Sequence, residues 1–316
     1  MRRRTALVRQ LRSVRTLRSA VSAMKSISAR HFRETRREID PSDRYREEVE
    51  RIAAWSGVRL AGGRGGAGLV VIGGELGLCG AYNARVVTAA IARRQAIGPG
   101  PTLCVGHRAA SLLRRRGLSP TTVYPTPTSV AGITQTLLPL AESIVSTYLD
   151  EGLASLDIVS SRFTGVGSYA PGSVRLLPDE APVSPTAPRV RYVDPGEMAA
   201  AAARELLYVR LYDLLLDAMA CEHSARLVAS QSAERWLDER GEYLARQLAA
   251  ERREAGTQEV LEIATSARAR RQQAGRAPAA PGTGPPGPSG ATRAEVSPSL
   301  LATAGFPRHT QPGPQS

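Results

Sequence analysis

The chain has 316 residues, 42% hydrophobic and 22% charged, a composition ordinary for a soluble protein with room for one large domain or two small ones. Its net charge of +13 is local to the N-terminus: residues 1–30 hold nine Arg or Lys and no acid, whereas residues 197–274 hold eleven basic and thirteen acidic side chains. No apolar run approaches the roughly eighteen residues of a spanning helix. The three cysteines (Cys79, Cys104, Cys221) lack metal-ligand spacing, so a disulfide framework or zinc site is disfavoured and a reducing compartment is expected.

Residues 5–39 form the first strong helix candidate. Leu7, Leu11, Val14, Leu17, Val21, Met24 and Ile27 follow at intervals of three or four, giving one narrow apolar seam with arginines around it. By composition alone, the first thirty residues, Arg-rich and free of acids, also have the character of a mitochondrial transit peptide. At Asp40-Pro41-Ser42-Asp43 a capping residue, a proline suited to the first helical position and an early acid predict a kink or break near Asp40. The first segment is therefore 1–56. A glycine-rich connector follows at 57–67, with Gly57, Gly62, Gly63, Gly65 and Gly66.

From 68 to 195 the pattern alternates. Strands are expected over Gly68–Gly73, Thr102–Val105, Thr122–Tyr124, Leu156–Phe163 and Ser173–Leu177, with helices over Tyr82–Ala96, Arg108–Arg116 and Ile133–Leu149. Strands and helices at this spacing indicate an α/β, Rossmann-like domain with a mainly parallel sheet. A proline-containing lead then opens a proline-free helix within 196–274. Its apolar positions include Leu207, Leu211, Leu214, Ala218, Ala225, Val228, Trp236, Leu244, Leu248 and Leu261. Between Glu197 and Gln272 such a helix would be roughly 110 Å long, so it needs a partner along its apolar stripe, and the N-terminal helix supplies one. Residues 275–316, with nine prolines and seven glycines, read as a disordered tail.

Catalytic signals are absent from this pattern. The turn Gly74-Glu75-Leu76-Gly77-Leu78-Cys79-Gly80 invites a phosphate-binding reading, but it contains an acid and no lysine and fits neither a P-loop nor G-x-G-x-x-G. A tight crossover with a packing cysteine is the plainer reading. His31, His107, His223 and His309 lie far apart, and His31 and His223 are expected on helix surfaces. The basic N-terminal helix could bind nucleic acid or an anionic membrane, though its aliphatic seam argues for a coiled coil whose positive outer face suits an acidic partner.

Three stretches together resemble the gamma subunit of F-type ATP synthase. They are Ser13-Val14 through Ala23-Met24-Lys25, the strand and turn from Gly68 to Gly80 with Asn83, and Glu222-x-x-x-Arg226 followed by Thr257-Gln258-Glu259. They occur in the family's order over roughly residues 5–268. The resemblance implies an antiparallel coiled coil of the terminal helices with the α/β domain inserted at its base. It implies a rotor with no catalytic site, cofactor or metal of its own, turning within a ring of alpha and beta subunits. It further implies an epsilon subunit and a ring of c-subunits as partners, no nucleic acid, and a peripheral place on the cytoplasmic face of a bacterial membrane. The coupled ion would be a proton or sodium.

Carried over by position, Met24 and Lys25 match the contact with the beta subunits' acidic lever. Arg252 and Gln258 match polar contacts on the C-terminal helix, Cys79 lies in the matching Gly-Leu-Cys-Gly turn, and Glu222 and Arg226 match the helix region beside Met24. The register from Met24 to Tyr45 runs on without a gap, which assigns these residues to mature structure. The chain departs from the family at several points. Glu75-Leu76 stands for the usual Asp-Arg, Arg253 for a glutamine, and Ala255-Gly256 for a bulkier pair, the glycine lowering local helix propensity by about 1 kcal/mol. Pro41 and the C-terminal extension are further differences.

Overall fold

Burial along the first helix recurs every seven residues. In the computed structural model, which describes residues 2–56, 62–178 and 194–274, helix α1 (Arg2–Ser56) pairs with the 80-residue helix α5 (Pro195–Ala274). On α1 the inward positions are Leu7, Val14, Val21, Ser28, Thr35, Ser42 and Val49; on α5 they are Ala202, Val209, Leu216, His223, Ser230, Leu237 and Leu244. The rungs between them run antiparallel: Arg3 with Glu251 at 3.0 Å, Arg18 with Asp238, Lys25 with Glu234, His31 with His223 and Ser42 with Asp213.

This repeat corrects the seam expected from sequence. Leu17 and Ile27 are 56% and 51% exposed. The expected steps average below 3.5 residues per turn and drift off the contact line, whereas a seven-residue repeat keeps a supercoiled pair in register. On α5, Val228, Trp236 and Leu261 are likewise exposed, while Leu207, Leu211, Ala218, Ala225, Leu244 and Leu248 are buried.

The break expected near Asp40 is also absent, since α1 runs unbroken through Pro41. Proline removes one hydrogen bond, but the chain is held before and after the position: Ile39 packs against the core that includes Leu211 and Leu215, Ser42 donates to Asp213, and Arg46 Nε reaches the same carboxylate at 2.7 Å. Tertiary contacts outweigh the local restart signal here.

The sheet orders as β3-β2-β1-β4-β5, with β1 at Gly65–Ile72, β2 at Thr102–Val105, β3 at Thr122–Tyr124, β4 at Leu153–Gly165 and β5 at Ser168–Leu177. All pairings are parallel except β4 with β5. β1 starts within the stretch expected to be connector. Helices α2 (Tyr82–Ile97) and α3 (His107–Arg115) cover one face and α4 (Ile133–Asp150) the other. β1 alternates accordingly: Leu69 and Val71 face α2 and α3, while Val70 and Ile72 pack with α4.

Helix α5 contributes to both cores. Leu207, Leu211, Leu215 and Met219 join the α4 side, and Cys221 and Ala225 join the α2–α3 side. This explains why residues 215–226 are buried almost all round, as a helix inserted into a domain core must be. All three cysteines are buried and free. Residues 57–61, most of the proline-containing lead and the expected tail at 275–316 lie outside the described residues.

Candidate functional site

The turn after β1 is where sheet and long helix are fastened. Gly74 N–H donates to Asn83 Oδ1 at 2.7 Å, and Asn83 Nδ2 lies 3.4 Å from Cys79 Sγ, which in turn faces Leu76 O at 3.6 Å. From α5, Arg226 Nε donates to Gly77 O at 3.2 Å, and Leu76 N–H donates to the Glu222 carboxylate. Glu222 and Arg226 sit one helical turn apart and form an ion pair whose side chains are only 6% and 3% exposed. Gly74 is required there, since a Cβ would stand 2.7 Å from Glu222 Oε1. Burial pushes the Glu222 carboxyl up, opposed by Arg226 and the Leu76 N–H. The Cys79 thiol is also raised, by burial and then by Glu222, which makes it a packing group and a poor nucleophile.

Two features of this clasp were missed in the sequence. Leu78 has φ of 60°, the one non-glycine residue with positive φ among those described, and it and Leu76 are each about half exposed. Such strain persists only where the surroundings fix it, and here the backbone on both sides is tied down. Second, His223 is buried and stacks on His31, with ring centroids 5.2 Å apart. This corrects the expectation that both lie on helix surfaces. Burial, with Arg226 and His31 adding to it, holds His223 down at about 3. The seven-residue spacing of His223 from Leu216 and Ser230 was the signal that could have placed it in the seam.

The crevice at the strand ends is filled from within. The Glu75 carboxylate accepts the His107 N–H at 3.1 Å, the first of α3, and the Thr126 N–H at 3.2 Å, and meets His107 Nδ1 at 2.7 Å. Burial alone would raise Glu75, but these N–H groups hold it below the usual value. The chain's own acid thus takes the donors that a phosphate would use.

The other expected site residues lie elsewhere. Met24 and Lys25 are half-buried, and Lys25 pairs with Glu234, more than one helical turn from Arg226. The residue of α1 facing the Glu222–Arg226 turn is His31, not Met24. Arg252 and Gln258 are exposed on α5. Three of the nine basic residues in 1–30 are matched along the coil, since Arg3, Arg18 and Lys25 pair with acids of α5. No described helix is long and apolar enough to cross a membrane, and the described residues hold no cluster of metal-binding side chains.

A family model described as ATP synthase matches residues 4–269. An ATP synthase gamma chain of Granulibacter bethesdensis is 30% identical over 264 residues, covering 73% of this chain and 87% of the relative. That of Desulforamulus reducens is 25% identical over 280 residues, covering 83% and 97%. Among solved structures, a chain of the Euglena gracilis mitochondrial ATP synthase superposes with a TM-score of 0.60 at 14% identity, covering 89% of this chain and 98% of its own. A chain of the Tetrahymena thermophila central stalk and c-ring structure gives 0.53 at 16%, covering 68% and 99%.

Proposed function

This chain belongs to the ATP synthase gamma-chain family, a non-catalytic subunit of that complex, and from that premise we propose how it works as the central-stalk rotor. The α1–α5 coil turns inside a ring of alternating alpha and beta subunits, whose nucleotide sites change conformation as its asymmetric surface passes. The α/β domain joins the epsilon subunit and the ring of c-subunits. The complex lies on the cytoplasmic face of a bacterial membrane, with this chain peripheral to it. The coupled ion, proton or sodium, is carried by other subunits.

A rotor of this kind transmits a conformational bias through a stiff element, so its base must not slip on the shaft. The observation that carries the reading is the clasp, in which buried Glu222 and Arg226 of α5 hold the 74–80 turn of the sheet. Met24 and Lys25 then present the coil to the beta subunits, with Lys25 steadied by Glu234. Arg252 and Gln258 make polar contacts with the ring in this reading, which their exposure on α5 supports.

Reconstitution tests this. The purified chain should hydrolyse no ATP, and adding it to alpha and beta subunits should produce cooperative hydrolysis; failure to co-purify with either subunit refutes the reading. Met24→Lys should lower coupling between hydrolysis and ion transport while leaving assembly intact. Unchanged coupling removes Met24 from the contact.

A further inference from the structure

The seam of the α1–α5 coil is apolar at both ends and interrupted by polar residues between them. At one end Leu7 packs on Leu244 and Leu248, with Leu11 and Val14 beside them. At the other, Val49 packs on Leu206 and Val209. Between these, Val21 on α1 and Leu216 and Leu237 on α5 continue the apolar line, but the other inward positions are Ser28, Thr35 and Ser42 on α1 and His223 and Ser230 on α5.

Ser28 and Ser230 are 1% and 0% exposed. Both lie between the Lys25–Glu234 and His31–His223 rungs, on facing helices. A serine or threonine inside a helix commonly returns its hydroxyl to the carbonyl one turn back, as Thr35 does to His31 O at 2.8 Å and Ser26 to Ser22 O at 3.1 Å. Ser28 and Ser230 do not. Their hydroxyl oxygens are two of the five buried side-chain atoms without a hydrogen-bond partner among the described residues. Two unpaired hydroxyls therefore lie in the same stretch of the seam, where a coil built for stability alone would place Val or Leu. That stretch loses apolar burial and also desolvates polar groups without return.

We propose that the Ser28–Ser230 layer is a compliant joint. The helices part and re-seat there at the lowest free energy of the seam. The end of the coil that carries Leu7 and Leu244 thereby turns against the part clamped to the sheet by Glu222 and Arg226. Packing on either side confines the motion: the Leu7–Leu244–Leu248 cluster holds one flank, and the core insertion of residues 215–226 holds the other.

Two measurements on the full chain test the joint. Ser28→Ala with Ser230→Ala should slow amide exchange in 25–32 and 227–234 at least tenfold relative to a control carrying Ser19→Ala and Ser232→Ala, two exposed serines of the same helices. The layer variant should also raise Tm above the control. Spin labels at Ser19→Cys and Ser111→Cys, both exposed while the native cysteines are buried, should give a broad distance distribution. Ser28→Val with Ser230→Val should narrow it. Equal exchange in the layer variant and control, a lower Tm, or an unchanged distribution each overturns the joint; the alanine pair serves if the valine pair fails to fold.

Discussion

The substitution Arg226→Met isolates the clasp. Arg226 and Glu222 are 3% and 6% exposed, so neither charge has water to fall back on. Methionine roughly keeps the stem's packing but leaves Glu222 buried without its cation and Gly77 O without its donor. Removing one partner of a buried pair costs about 3–5 kcal/mol. Adding Glu222→Met removes the stranded carboxylate as well, and the double variant should recover at least about 2 kcal/mol relative to Arg226→Met alone. Urea unfolding of the four species, with slopes compared to check that the unfolded state is unchanged, gives the coupling energy.

A pH series adds a second signature of the same variant. Without Arg226, the Glu222 pKa in the folded chain rises further above its unfolded value. Stability of a raised acid falls as pH climbs from the unfolded pKa, so the Arg226→Met deficit should shrink between pH 7 and pH 5. A deficit under about 1 kcal/mol, or one independent of pH, would refute the view that this pair is the buried fastening between helix and sheet.

Asp217 and His223 should shape the pH profile of the native chain with opposite signs. Burial, opposed by Arg162 and the Phe163 N–H, pushes Asp217 up to about 6 from 3.8. It therefore removes stability as pH rises across that window, and Asp217→Asn should raise stability at pH 7.5 by up to about 3 kcal/mol and flatten the profile there. His223, held at about 3 against an ordinary 6.5, contributes stability that is complete above 6.5 and lost as pH falls toward 3. Urea midpoints of His223→Gln should accordingly show a shallower decline between pH 6.5 and 4. Leu78→Gly relieves a φ of 60° at a half-exposed side chain and should stabilise by up to about 1 kcal/mol in the same assay. A loss of stability would mean that Leu78 packs within the chain.

The alternating domain was legible because each of its elements is short and carries its own signal. The strands Thr102–Val105 and Thr122–Tyr124 are found where the sequence places them, and the helix ends shift by a residue or two. The coil was legible in kind but not in phase. Steps of three and four that follow the most apolar residue at each turn choose Leu17 and Ile27, while the true line continues through Ser28 and Thr35. Hydrophobicity misleads there because the line is set by the seven-residue supercoil and not by the greasiest face. Pro41 misleads for a related reason: its local signal is sound, but Ile39 before it packs on the core and Ser42 and Arg46 after it are tied to Asp213 of the partner helix.

The clasp shows how far a motif reaches. Glu222 and Arg226 could be paired from their spacing, and the Gly-Leu-Cys-Gly turn stood out, yet nothing local joined them across 149 positions of chain. What joins them is the insertion of α5 between the two cores, which buries both charges and leaves the turn's backbone as their nearest polar surface. Once the helix enters there, the remaining features follow in order. Glu222 needs the space that only a glycine at 74 leaves, Arg226 fixes Gly77, and the chain between fixed points carries Leu78 into its strained conformation with its side chain outward. Stiffness is thus concentrated at the base of the coil, and the polar layer at Ser28 and Ser230 lies one to two turns beyond it. A load applied to the far end of the coil meets the compliant layer before it meets the clasp, so the layer yields while the fastening between helix and sheet stays intact.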